Sequence, residues 1–141
     1  MAASGGKYFT LIYGVVDLET GEFTLVSAGH PPGIRQIPGR EPEVITLRGM
    51  AIGWTPDAEF EQTTITLCPG ERLCFYSDGV PEAMNPDLKQ FGSDRLIETL
   101  VDTRAFPLQE GVRHLVSKVE QWCGKAGPRD DVTIVAMEIV G

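Results

Sequence analysis

No apolar run in this chain approaches the ~20 residues that a helix needs to cross a bilayer, so a membrane-spanning role is not expected. No two of the three cysteines, Cys68, Cys74 and Cys123, stand as C-x-x-C, and their number is odd. That excludes a disulfide framework and a structural zinc knot, and it points to a reducing compartment. Cys74 lies in an apolar strand and Cys123 follows a helical stretch, so both are read as small core residues. Positive charge is scarce as well: 12 Lys and Arg stand against 20 Asp and Glu, for a net charge of −8. Nucleic acid is excluded as a partner, because phosphate contacts need a basic surface. Residues 1–6 are small and polar, without the apolar core or cleavage pattern of a secretory signal, and read as a flexible leader. The expected location is the cytoplasm.

What the chain does have, in its 141 residues, is enough length for one domain and a sharp change of character halfway along. Up to Ser77 the residues alternate and cluster as strands, with no helical period. Lys7–Val16 is apolar in both phases, which predicts an interior strand packed on both faces. Asp17–Glu22, with Gly21 at a left-handed position, predicts a hairpin into a return strand over Phe23–Ala28. Further strands are predicted over Ile34–Ile37, Glu43–Leu47, Phe60–Cys68 and Glu71–Ser77, as a β-meander. After Asp78 the period becomes helical. Ser93 is placed as the cap of a helix over Asp94–Asp102, and Pro107 in the first turn of one running to about Trp122. A last strand covers Val132–Ile139. His114 falls off the apolar stripe of its helix and is assigned to the solvent side.

Two acidic sites flank apolar strands. Asp78 closes one, followed by Gly79, and Asp130–Asp131 opens another. If those strands are antiparallel neighbours, Asp78 and Asp130 face the same cleft. Carboxylates clustered at a buried edge repel one another and persist only with a cation between them. Hard oxygen donors select Mg²⁺ or Mn²⁺. His30, in Gly29–His30–Pro31–Pro32, sits at a strand end beside a stiff loop and is a candidate orienting or acid–base group.

Several motifs, taken together, add a family likeness. Tyr76–Ser77–Asp78–Gly79–Val80–Pro81–Glu82–Ala83 and Pro128–Arg129–Asp130–Asp131–Val132–Thr133 resemble the last two acidic motifs of the PPM (PP2C-type) metal-dependent protein serine/threonine phosphatases, in the bacterial SpoIIE/RsbU branch. Thr10–Val15, Ser27–Pro32 and Pro69–Leu73 match in order and spacing along nearly the whole chain after Gly6. The resemblance implies an α+β fold, an antiparallel β-sandwich with flanking helices. It also implies a binuclear Mn²⁺ or Mg²⁺ centre with Asp78 and Asp130 as ligands and catalytic residues. Gly79, Asp131, His30 and Gly29 would be cleft neighbours. The implied reaction is hydrolysis of phosphoserine or phosphothreonine by metal-activated water. The implied partner is a phosphorylated regulatory protein of the anti-sigma-factor antagonist type, in a bacterial partner-switching pathway.

The family's earlier Asp-x-x-Gly-His-Gly-like motif is not found before Tyr8, so residues 7–141 match the C-terminal part of such a domain. An incomplete sandwich exposes sheet edges, which predicts a homo-oligomer or a fold completed by a partner. The alternative reading for the chain is a non-catalytic regulatory or interaction module on the same scaffold.

Overall fold

A computed structural model describes residues 6–141; residues 1–5 of the expected leader lie outside the described residues. Seven strands and two helices follow in the order β1 (Leu11–Val16), β2 (Glu22–Ala28), β3 (Gly33–Gln36), β4 (Glu43–Ile45), β5 (Gln62–Thr66), β6 (Arg72–Tyr76), α1 (Gly92–Asp102), α2 (Leu108–Cys123) and β7 (Ile134–Glu138). They form two sheets, β1-β2-β5 and β4-β3-β6-β7, with every pairing antiparallel.

The α+β sandwich expected from the sequence is present, but the strands are not a meander. The chain changes sheet between β2 and β3, returns for β5, and crosses again into β6. The first crossing falls at Gly29–His30–Pro31–Pro32, where two prolines lack the backbone donors that would prolong β2.

Two apolar layers follow from β6. Leu73 and Phe75 point between the sheets, where they join Phe23, Leu25, Ile65 and Leu67. Cys74 and Tyr76, in the opposite phase, meet Ile34, Leu96, Leu115 and Val119 beneath the helices. The strand packed on both faces is therefore β6 and not β1. Its apolar content in both phases reflects a sheet on one side and helices on the other.

The expectation for β1 is corrected. It is an edge strand, and Leu11, Tyr13 and Val15 on its outer phase remain 42%, 65% and 54% exposed. Among the described residues nothing covers that face, so apolar periodicity here records a surface and not a core.

The hairpin between β1 and β2 forms as predicted. Gly21 has φ 75°, and Asp17 and Glu22 close the turn with a 2.8 Å backbone bond. The helix α1 starts at Gly92 with Phe91 in the capping position and no side-chain cap, so Ser93 lies inside the first turn. Phe91 is buried, and packing has fixed that helix start where the sequence suggested a hydroxyl. Pro107 immediately precedes α2. His114 is half-buried against the edge of Phe106, with ring centroids 6.0 Å apart, and not simply on the solvent side. Cys74 and Cys123 are buried, as predicted, and Cys68 is exposed.

Two polar ties cross between layers. Arg35 in β3 holds Glu71 through Nε at 2.8 Å and Nη2 at 3.1 Å, and Nη2 also donates to the Thr66 carbonyl of the other sheet. Gln36 donates from Nε2 to the Leu100 carbonyl at 3.0 Å, tying β3 to α1.

Candidate functional site

The strands β6 and β7 pair from Arg72↔Glu138 to Tyr76↔Ile134, so the end of one lies against the start of the other. Ser77 carries the pairing one step further. Its backbone N–H donates to the Thr133 carbonyl at 2.9 Å, its Oγ donates to the Asp131 carbonyl at 3.1 Å, and the Thr133 N–H donates back to Oγ at 2.9 Å. One short side chain thus latches the Asp78 segment to the Asp130–Asp131 segment.

Gly79 fits the same contact from the other side of Asp78. A Cβ at this position would lie 2.2 Å from the Asp131 carbonyl oxygen, well inside van der Waals contact. Only a residue without a side chain lets the two segments approach this closely. Past Gly79 the chain turns tightly, with the Glu82 N–H donating to the Asp78 carbonyl at 3.0 Å.

The backbones of the two acidic segments are therefore adjacent, as antiparallel pairing of β6 and β7 requires, but Asp78 is not among the residues lining the cleft of Asp130. Their setting differs from that expected. Asp78, Asp130 and Asp131 are all exposed, so no buried edge demands a cation to offset desolvation. The Asp130 carboxylate accepts the Asp131 backbone N–H at 2.8 Å, a bond that stiffens its own turn. Asp78 and Asp130 offer the hard oxygen donors that Mg²⁺ or Mn²⁺ prefers. Among the described residues no group of three or more metal-ligating side chains assembles. Two carboxylates would be only part of the donor set of such an ion, whose remaining positions take other oxygens or water.

His30 belongs to a neighbouring cleft of about 400 Å³ that opens between the sheets, where it shares the lining with Thr10, Phe75, Ser77 and Thr133. Its Nδ1 lies 3.2 Å from the Thr10 hydroxyl, and its carbonyl accepts the Ser27 hydroxyl at 3.4 Å. The ring is thereby oriented towards the cleft that also reaches the Ser77 latch. Gly29, at φ 69°, sets the backbone against Ala51, whose nitrogen would be 2.7 Å from a Cβ there. Asp130 lines a separate cleft of about 190 Å³ with Gly79, Glu82, Met84, Gln90 and Arg129. The roles of Ser77 and Arg129 were not drawn from the sequence. The Ser immediately before Asp–Gly at a strand end was the available signal for the first, since hydroxyls there bond adjacent backbone.

An antiparallel two-sheet sandwich with helices on one side, and two acidic strand ends latched together, define a PP2C-type domain. The chain belongs to the SpoIIE family: the family model for Stage II sporulation protein E (SpoIIE) matches residues 1–140. Over 73 residues it is 32% identical to phosphoserine phosphatase RsbP of Bacillus subtilis, covering 52% of this chain and 18% of that protein. The SiaA-PP2C domain of Pseudomonas aeruginosa superposes with a TM-score of 0.75 at 25% identity, over 92% of this chain and 50% of that one. The manganese-presoaked phosphatase domain of SpoIIE from Bacillus subtilis superposes with a TM-score of 0.73 at 18% identity, over 93% and 56%, a likeness of fold. The chain spans about a fifth of the curated relatives it matches, and about half of these two solved chains. No helix among the described residues is long and apolar enough to cross a membrane.

Proposed function

We propose that this chain is the part of a SpoIIE/RsbU-type protein phosphatase domain that brings Asp78 and Asp130 to a divalent metal centre. The reading is carried by one observation: Ser77 and Gly79, on either side of Asp78, both press against the Asp131 carbonyl and so hold the two acidic segments together. The family match, and a structural neighbour, the serine/threonine phosphatase PstP, in complex with two manganese ions, support Mn²⁺ or Mg²⁺ as the ion.

When bound, such ions supply an activated water and a clamp for phosphoryl oxygens. The chain's own part is to orient. The carboxylates of Asp78 and Asp130 each supply an oxygen, while the Ser77 latch keeps their backbones from separating. Asp131 is held by its backbone and serves as a neighbour and not a primary ligand. His30 stands at the adjoining cleft, with its ring fixed by Thr10, where it can hold or pass a proton.

The substrate class is a phosphoserine or phosphothreonine protein, in line with the likeness to the phosphoserine phosphatase RsbP. An anti-sigma-factor antagonist is the type of partner proposed, and the exposed outer phase of β1 is proposed to be covered in a homo-oligomer or by a partner. The test is hydrolysis of para-nitrophenyl phosphate by this chain. It is expected to require Mn²⁺ and to vanish in Asp78→Asn, and activity that survives EDTA overturns the reading.

One observation favours a second reading, a non-catalytic regulatory or interaction module: no third metal-ligating side chain joins Asp78 and Asp130 among the described residues. Calorimetry separates the two. The module predicts no Mn²⁺ binding tighter than millimolar, and the phosphatase predicts tighter, saturable binding lost in Asp130→Asn.

A further inference from the structure

The cleft that Asp130 lines does not end at Arg129. A second cleft of about 320 Å³ begins there, sharing Met84 and Arg129 with the first and continuing past Asn85 to Lys125. The two clefts adjoin at Met84 and Arg129, and together they lead away from the acidic segments along the turn between β6 and α1 and the loop after α2. Their charge is polarised. Glu82 and Asp130 stand at one end, and Arg129 and Lys125 lie along the rest.

The chain carries −8 overall, yet among the described residues neither Arg129 nor Lys125 makes an ion pair or a side-chain hydrogen bond. A guanidinium without a protein partner beside a cleft is matched by a carboxylate or phosphate that it can grip with two parallel bonds.

The opposing wall is built in advance. Met84 bridges to Gln90 across a closed turn. Asn85 accepts the Asp87 and Lys89 N–H groups on Oδ1 at 3.0 and 2.8 Å, and its own N–H donates to the Lys89 carbonyl at 3.0 Å. Leu88 at the tip holds φ 60°, a left-handed conformation that costs a branched residue energy, and its side chain is exposed. The Trp122 indole N–H fixes the turn to α2 by donating to the Lys89 carbonyl at 3.0 Å. The turn that forms this wall is ordered before any ligand binds, which spares its share of the ordering cost.

We propose that this groove seats the chain flanking the phosphorylated residue of a substrate protein, with an acidic side chain of that flank held by Arg129 and Lys125. The proposal rests on the phosphatase reading for the identity of the ligand, and it adds a sequence preference. Substrates carry Asp or Glu on one side of the phosphorylated residue, on the flank that leads away from Asp130.

The test titrates the ¹⁵N-labelled 141-residue chain, in EDTA, with two synthetic phosphoserine peptides. One carries three glutamates on a single flank and the other carries alanines in their place, with both flanks tried. The glutamate peptide on one flank is expected to bind about tenfold more tightly than its alanine counterpart. Its amide shifts are expected at 84–90 and 125–130. Combining Arg129→Glu with Lys125→Glu is expected to abolish the preference; if that reversal unfolds the chain, Arg129→Gln with Lys125→Gln replaces it. Equal binding of the peptides, or a preference that survives the variant, overturns the proposal. Mn²⁺-dependent hydrolysis of para-nitrophenyl phosphate by the unaltered chain is measured alongside. Hydrolysis without flank preference removes the groove alone. Flank preference without hydrolysis upholds the groove and removes the phosphatase reading.

Discussion

Ser77 gives the site its geometry through three hydrogen bonds, two of which use its hydroxyl. Replacing it by alanine strips the Thr133 N–H of its acceptor and the Asp131 carbonyl of a donor. Ser77→Ala is expected to lower unfolding free energy by about 1–3 kcal/mol in urea titration; a variant indistinguishable from the parent contradicts the latch. Gly79→Ala drives a methyl into the Asp131 carbonyl and is expected to cost a similar amount through displaced backbone. The cysteines separate by burial. Burial pushes the Cys74 thiol up to about 12 and raises Cys123, whereas Cys68 is exposed. Iodoacetamide at neutral pH is expected to label Cys68 quickly and the other two only on unfolding. The sign of the linked stability follows from the same burial. The folded chain keeps a Cys74 proton that an unfolded chain releases near 9.0, so this contribution is full below that pH and is lost as pH climbs towards 12.

Among the elements, β3, β5 and β6 meet at Arg35. Its guanidinium is paired to Glu71, which is only 3% exposed, and it also holds the Thr66 carbonyl, so one side chain ties the two sheets. Glu71→Ala leaves that cation without its main partner and is expected to destabilise the fold by about 3–5 kcal/mol. Pairing Arg35→Met with Glu71→Leu is expected to recover most of the loss, because no charge then remains to be satisfied. Thermal unfolding of the three variants checks the order. Legibility in the sequence also differs from element to element, for physical reasons. The hairpin at Asp17–Glu22 was readable because its turn chemistry is local. The helices were readable because Leu96, Leu100, Leu115 and Val119 keep one face. The strand β1 misled, because its two-sided apolar pattern matches that of a buried strand whether or not anything covers the outer face. The sheet crossings at Gly29–Pro32 and before β5 escaped notice, since breakers mark where pairing stops and not which sheet the chain joins next.

For the whole molecule, the acidic motifs were legible as positions, and family likeness supplied the role proposed for them. Their latch was not, because it depends on two segments more than fifty residues apart meeting at a hydroxyl. Nor was their exposure, which apolar flanking residues concealed. The uncovered outer phase of β1 belongs to this scale as well. With Tyr8, Phe9 and Trp54 also largely exposed, it is expected to drive association above micromolar concentration. Light scattering after size exclusion reads this directly, and a single monomeric mass at all concentrations contradicts it. Tyr13→Lys is expected to return the chain towards monomer by placing charge on the edge.

The decisive measurement is paramagnetic broadening of the ¹⁵N-labelled chain by substoichiometric Mn²⁺. The account predicts that amides around Asp78 and around Asp130–Asp131 broaden together, before any others, and that Asp78→Asn relieves both. Broadening scattered over the other surface carboxylates, or loss at one acidic segment that leaves the other unaffected, contradicts a shared ion.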